Sequence, residues 1–333
     1  MTTQPHTLVL GATGGIGYAV TENLLARQLP VTILVRDRAK AQKLFGNAST
    51  LTIIEGDVED AALLKQLAAD KPFIFHGINY PYHQWFGRME TATRNVIEAA
   101  SPDTTIVFPG NVYNFGNASV PIREDAQPGT NTRKGNLRIE LEGMLEEAAR
   151  AGRCRVLTVR LPDFWGPNVM NDAVRSIFEG ALTGKPMLWL ATIDQPHQSV
   201  YTPDAAEVVV RLMLEGPAKN YQVWNYGGRT FSSMRSFFKQ VTALTGKPLR
   251  TTVYSRWAIT LLGLFMPIMR ELKEMLYLYE NTIQLDDQAL RAHWPDFRET
   301  PLPTALTDTL SWFARHQLKQ DFKPVAVRDK HPA

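Results

Sequence analysis

Short apolar runs alternate with amphipathic stretches through the first half of the chain. Residues 7–10, 31–35, 51–55, 73–76, 105–108 and 155–160 are rich in β-branched and apolar side chains at successive positions. Such runs predict strands buried on both faces. Between them, residues 14–28, 61–69, 89–100 and 131–151 place apolar side chains three and four apart, which predicts helices. The alternation predicts an α/β fold built on a doubly wound parallel sheet.

The second half is less regular. Prolines at 162, 167, 186, 196 and 203 cut it into short pieces, and longer helices are predicted over 203–214, 231–244, 257–279 and 303–316. No internal repeat or low-complexity linker is present. The expected organisation is a nucleotide-binding half over 1–165 and a smaller, partly interleaved C-terminal substrate lobe over 166–322. Segments of that lobe return to the first half, and a polar, frayed tail follows over 323–333.

Composition narrows the classes. With 44% hydrophobic and 21% charged residues, the chain is ordinarily globular, which excludes collagen-like, disordered and coiled-coil readings. A net charge of +3 with no run of five like charges predicts no nucleic-acid partner. Residues 257–269 form the longest apolar stretch, interrupted by Gly263 and Pro267 and shorter than the ~20 residues a spanning helix needs. A core or lid helix is expected there, with no membrane partner. Residues 1–6 are polar and do not read as a signal peptide. The single cysteine, Cys154, reads as a buried thiol, which fits a cytoplasmic location. Seven histidines without a pair four apart predict no metal site.

The chemistry starts at Gly11-Ala-Thr13-Gly14-Gly15-Ile16-Gly17, directly after the first predicted strand and opening the first helix. Glycines permit the tight turn and let backbone approach a pyrophosphate, while the helix start offers N–H groups and a positive dipole end. This predicts a dinucleotide site and a Rossmann sheet. Arg36-Asp37-Arg38 follows the second strand, where a carboxylate serves the ribose hydroxyls of NAD and an arginine serves the 2′-phosphate of NADP. The two arginines favour NADP(H) over NAD(H), while Asp37 could serve a ribose. Asp57 and Val58 after the third strand suit an adenine edge, and Asp57 could also cap the following helix.

These segments resemble the extended short-chain dehydrogenase/reductase superfamily, of the NAD(P)-dependent epimerase/dehydratase type. The likeness spans nearly the whole chain. Its further carriers are His76-Gly77, Val112-Tyr113, Arg160-Leu-Pro162-Asp-Phe-Trp-Gly-Pro167, Ser199-Val-Tyr201-Thr-Pro-Asp204 and Val223-Trp-Asn225-Tyr-Gly-Gly228. The resemblance implies a cofactor site that includes His76, Gly77 and Pro162, and a homodimer formed through helices of the cofactor half. It also implies a serine, a tyrosine and a lysine at the reacting centre. In that set tyrosine shuttles the proton, lysine lowers its pKa and serine orients the substrate oxygen.

The chain departs from this set. Pro109 stands at the serine position, and none of the ten tyrosines has a lysine four residues later. With Glu142 as landmark, the tyrosine and lysine positions become Lys134 and Arg138. Lys134 could donate a proton or bind ribose, or be an exposed lysine at a helix start. Tyr113 could present its phenol near the fifth strand's exit, or pack beneath a loop. Asn111 could orient a carbonyl or cap a turn. His76 or His83 could be a general acid. Tyr80, Tyr82, Trp85, Trp165 and Tyr201 could line a pocket for an apolar or aromatic substrate, or form core. The expectation is hydride transfer to or from a carbonyl or alcohol with a non-standard proton donor. The alternatives are a sugar-nucleotide epimerase or dehydratase, and a non-catalytic NADP(H)-sensing regulator.

Overall fold

The computed structural model describes residues 4–116, 118 and 121–325. The first strands follow the apolar runs: β1 (Thr7–Leu10), β2 (Val31–Val35), β3 (Leu51–Glu55), β4 (Phe73–His76), β5 (Thr105–Gly110) and β6 (Arg155–Arg160). They are connected by α1 (Gly15–Ala26), α2 (Arg38–Phe45), α3 (Ala61–Ala68), α4 (Arg88–Ala99) and α5 (Arg133–Arg150). Helix α1 stops two residues short of the predicted 28, where Gln28 takes a left-handed φ of 57°.

The later part contributes β7 (Asp163–Trp165), α6 (Asp172–Thr183), β8 (Met187–Leu190), β9 (His197–Tyr201), α7 (Thr202–Glu215) and β10 (Tyr221–Asn225). After these come β11 (Arg229–Phe231), α8 (Met234–Thr245), β12 (Thr251–Tyr254), α9 (Arg256–Leu262), α10 (Pro267–Lys273), α11 (Tyr277–Glu280), α12 (Gln288–His293) and α13 (Leu302–Phe313).

The main sheet has seven strands in the order β10-β6-β5-β4-β1-β2-β3, all parallel. Adjacent residues of one strand feed opposite faces. Val9 and Phe75 join the core under α1 and α7, whereas Leu8, Leu10 and Ile74 join the core under α3, α4 and α5. That double burial is why these strands lack polar alternation. The two outer strands are the exceptions, with only Ile53 buried in β3 and only Asn225 in β10.

A three-stranded sheet (β11-β9-β7) and a two-stranded one (β12-β8) form the second body of structure. Helices α6, α8 and α13 pack on a core holding Trp165, Phe178, Tyr201 and Phe237. This places Trp165 and Tyr201 in core rather than in a pocket. Strand β10 returns from this later part to pair with β6.

The single helix expected over 257–279 is three short ones. Gly263 ends α9, and Pro267 can begin a helix but not continue one, so α10 starts there. The segment is only partly core: Trp257 and Phe265 are 84% and 81% exposed, whereas Ile259, Met275, Leu276 and Leu278 are buried. No helix among the described residues is long and apolar enough to cross a membrane. Cys154 is buried and free, and burial pushes its thiol up to about 11. Val325 donates its N–H to the Leu244 carbonyl at 2.8 Å. The rest of the tail expected to fray, 326–333, lies outside the described residues.

Candidate cofactor and active site

Strand order reverses at β1, whose neighbours are β2 and β4. A crevice beyond the carboxyl ends of the strands at such a point is where doubly wound sheets bind ligands. There the Gly77 N–H donates to the Leu10 carbonyl at 3.0 Å. Gly11 has φ 81°, and a Cβ on it would overlap the Gly77 carbonyl. A Cβ on Gly17 would likewise overlap the Gly11 carbonyl. The loop is therefore wound too tightly for side chains at these two positions.

Helix α1 opens at Gly14 with no side-chain cap. In contrast Asp37, Asp60, Thr132, Asn171, Ser233 and Ser255 each cap their helices. Exposed Gly14 and half-buried Gly15 leave the α1 start open to an acceptor, while Ile16 anchors it in the core. Opposite, the Asn168 amide donates to the Thr13 carbonyl at 3.2 Å, and Phe164 and Val169 lie against Gly15. An uncapped start on a glycine turn fits a pyrophosphate.

The rim residues divide by their partners. Arg36 is exposed, its guanidinium 5.9 Å from the Tyr80 ring centroid. Arg38 instead donates to the Ile53 carbonyl at 2.7 Å. Asp37, the alternative ribose partner, accepts from the Lys40 N–H at 2.8 Å as the α2 cap. Asp57 does not cap α3; Asp60 does, and Asp57 accepts from the Glu59 N–H at 3.0 Å. Asn95 holds the adjoining turn through the Val58 carbonyl at 3.0 Å.

His76 is held as a buried, neutral ring at the end of β4. It is 1% exposed, with Nε2 3.0 Å from the Thr93 hydroxyl and no partner for Nδ1 among the described residues. Burial, with Arg138 adding to it, holds its pKa down to about 3 from 6.5. Between those values the unfolded chain takes up a proton that the folded one refuses. The neutral ring's contribution is complete above pH 6.5 and is lost as pH falls toward 3, at up to about 1.4 kcal/mol per pH unit. His76→Asn should flatten the pH dependence of denaturant unfolding by about that slope between roughly pH 6 and 4. An unchanged slope would mean that the folded ring is protonated. His83 is exposed and bonded to Gln84 at 3.1 Å.

At the β5 end, Asn111 accepts from the Tyr113 N–H at 3.0 Å and so caps the local turn. The Tyr113 phenol lies 3.1 Å from that of Tyr82, and its ring stacks on Trp85 at 6.3 Å. Burial raises the Tyr113 pKa well above 10, with Tyr82 adding to it, so the phenol keeps its proton. Tyr80 and Trp85 are buried, while Tyr82 and Tyr113 are half-buried.

Lys134 is fully buried rather than exposed. Its ammonium sits 5.2 Å from the Tyr82 ring centroid, pairs with Glu271, and meets Glu274 Oε2 at 3.1 Å. One turn on, Arg138 donates to the Pro109 carbonyl at 2.9 Å, its guanidinium 4.8 Å from the Phe108 ring centroid. Burial lowers the Arg138 pKa, which Glu142 opposes. Pro162, also buried, leads from β6 into β7.

Sequence reading missed a polar pair here. Asp163 Oδ2 lies 3.0 Å from His197 Nε2, and the imidazole stacks on Tyr279 at 6.1 Å. The Asp163 charge also raises the pKa of Tyr82, Tyr113 and Tyr279, behind burial in each case. The two residues are 34 apart in sequence, and only the pairing of β7 with β9 brings them together. The available signal was that Asp163 lies inside the 160–167 motif and His197 just before the 199–204 one.

Residues 11–128 match a family described as NAD(P)H-binding. A comparison with curated protein sequences finds no match. Among solved structures, UDP-glucuronic acid 4-epimerase from Bacillus cereus in complex with NAD superposes with a TM-score of 0.74 at 17% identity, covering 93% of this chain and 99% of that one. UDP-glucose 4-epimerase from Thermotoga maritima, solved with UDP-glucose, gives 0.74 at 16% identity over 93% and 99%. dTDP-glucose 4,6-dehydratase from Bacillus anthracis in complex with NAD gives 0.75 at 13% over 95% and 98%. At such identities the likeness is one of fold. Residues 11–128 thus match an NAD(P)H-binding family, and the chain has the Rossmann-like fold that these epimerases and the dehydratase share.

Proposed function

We propose that this protein is an NADP(H)-preferring oxidoreductase acting on a carbonyl or alcohol carbon of a small, apolar or aromatic molecule. The bound dinucleotide would supply or accept a hydride at its nicotinamide C4. In this reading Gly11, Thr13, Gly14, Gly15, Ile16 and Gly17 hold the pyrophosphate, Asp57 and Val58 the adenine, and Arg36 the 2′-phosphate. Arg38 shapes the rim through Ile53. His76, Gly77 and Pro162 border the nicotinamide. Residues 1–165 form the cofactor domain and 166–322 the substrate lobe, within a cytoplasmic protein.

The observation that carries the reading is the polar set kept buried at the strand ends. Lys134, Arg138 and the Tyr82–Tyr113 phenol pair occupy the region where the standard relay is lost. Lys134 and Arg138 are buried and the two phenols half-buried, each with a polar partner, so the set holds charge and protons in fixed positions, as a reacting centre requires. Tyr113 keeps its proton and can donate a hydrogen bond to a substrate oxygen. Lys134 places its ammonium over the neighbouring Tyr82 ring, and Arg138 holds the end of β5 through the Pro109 carbonyl. Asp163 with His197 gives a second route for a proton.

A sugar-nucleotide epimerase or dehydratase is the second reading, favoured by the substrates of the solved neighbours. Against it, such reactions use a tyrosine as base, and Lys134 stands at the position where the resemblance places that tyrosine.

Fluorescence titration with NADPH and NADH, beside Arg36→Ala, tests the cofactor half. NADPH should bind about tenfold or more tighter, and the variant should lose that preference. Tighter NADH binding that Arg36→Ala leaves unchanged would overturn the reading of the β2 rim. Binding of both cofactors without turnover across a carbonyl panel would indicate a regulator.

A further inference from the structure

The α9–α10 hairpin carries the largest apolar exposure of the described residues. Trp257, Leu261, Leu264 and Phe265 are 84%, 62%, 67% and 81% exposed, and Met266 and Ile268 are exposed beside them. Scattered exposed apolar residues are ordinary, but six within twelve positions form a patch that calls for a partner. Trp257 and Leu261 lie one turn apart on α9, Leu264, Phe265 and Met266 form the turn and Ile268 lies on α10, while Ile259 on the other side of α9 is fully buried. The turn is well formed. The Gly263 N–H donates to the Ile259 carbonyl at 2.9 Å, and that of Met266 to Leu262 at 2.8 Å.

The charges are sorted around this stripe. Residues 257–269 hold none. Arg256, Arg270 and Lys273 flank it and are exposed. The acidic residues of the same segment, Glu271 and Glu274, turn inward to Lys134, and Glu280 is spent on Arg256. The outer surface therefore presents tryptophan, phenylalanine and leucine beside the exposed cations Arg270 and Lys273, with the carboxylates of the segment each paired to a cation. That is the pattern of an element lying in the headgroup region of an anionic bilayer.

We propose that the α9–α10 hairpin docks this protein on the surface of a membrane containing anionic lipid. A segment too short to cross a bilayer can lie on one. A second copy of the chain fits less well. The most exposed side chains, Trp257 and Phe265, protrude, and a protruding tip offers little self-complementary surface, whereas acyl chains accommodate it. The docking does not depend on which reaction the site performs. Its inner side is nevertheless the roof of that site, since α10 holds Lys134 through Glu271.

Flotation of the full chain with phosphatidylcholine vesicles, with and without one-third phosphatidylglycerol, tests this. The protein should float with the anionic vesicles, lose most binding in high salt, and partition about tenfold or more weakly as Trp257→Ser/Phe265→Ser. Both positions are exposed, so circular dichroism and NADPH titration should leave that variant unchanged. Trp257→Phe should abolish a blue shift of tryptophan emission on vesicle addition. Three results would overturn the proposal: no flotation, equal flotation with neutral vesicles, or a dimer in sedimentation equilibrium that the double variant dissociates while vesicles bind neither protein.

Discussion

Lys134→Met should raise amide exchange across 267–280 by about 100-fold, an opening energy lowered by about 3 kcal/mol. Methionine fills the volume of the lysine stem but leaves Glu271 and Glu274 facing each other without a cation. Removing one partner of a buried pair costs about 3–5 kcal/mol, because the remaining charge stays desolvated. Here the carboxylates are 26% and 22% exposed, so some water reaches them and the lower figure applies. The loss falls first on α10, which these two residues tie to α5. Adding Glu271→Gln and Glu274→Gln to Lys134→Met should restore most of the protection. Unchanged exchange in the single variant would show that Lys134 does not hold the hairpin.

Gly11→Ala should destabilise the fold by about 3 kcal/mol or more and abolish dinucleotide binding. The added methyl meets a strained φ of 81° and a backbone carbonyl that cannot rotate away, that of Gly77. Gly14→Ala is the matched control. Its φ is −92°, and the nearest atom to a Cβ would be the Gly11 carbonyl oxygen at 3.4 Å. Stability should change by less than about 1 kcal/mol, while the methyl stands where the pyrophosphate would lie. Denaturant unfolding and NADPH titration of both variants separate the two effects. Binding retained by both would mean that the loop does not hold the cofactor.

The parts of the fold legible in the sequence were those whose signal is local. Val31–Val35 reads as a strand because every residue is apolar or β-branched and every one is buried. The Gly11–Gly17 turn reads because tight winding excludes side chains. Asp163–Trp165, Met187–Leu190 and His197–Tyr201 do not read as strands, since they lie among prolines, lack the β-branched apolar runs of β1 to β6, and pair with distant partners. The same distance hid the Asp163–His197 pair. Lys134 was singled out by position, but its burial depends on carboxylates 137 and 140 residues further on. Asp37 and Asp57 show the other failure. One carboxylate after a strand can cap, turn or bind, and only the chain path decides: Asp37 caps α2, and Asp57 braces the Glu59 N–H.

The return of β10 to the edge of β6 bears on the order in which the chain can be completed. Helix α7 also lies on α1, where Glu207 accepts from Asn23 at 3.0 Å and pairs with Arg27. A nascent chain that has emerged only to residue 165 therefore lacks both the outermost strand and α7, a helix that covers that face. Its β6 edge presents unpaired N–H and carbonyl groups, which invite pairing with another chain. The nucleotide-binding half, though first in sequence, becomes closed to such pairing only after residue 225 leaves the ribosome.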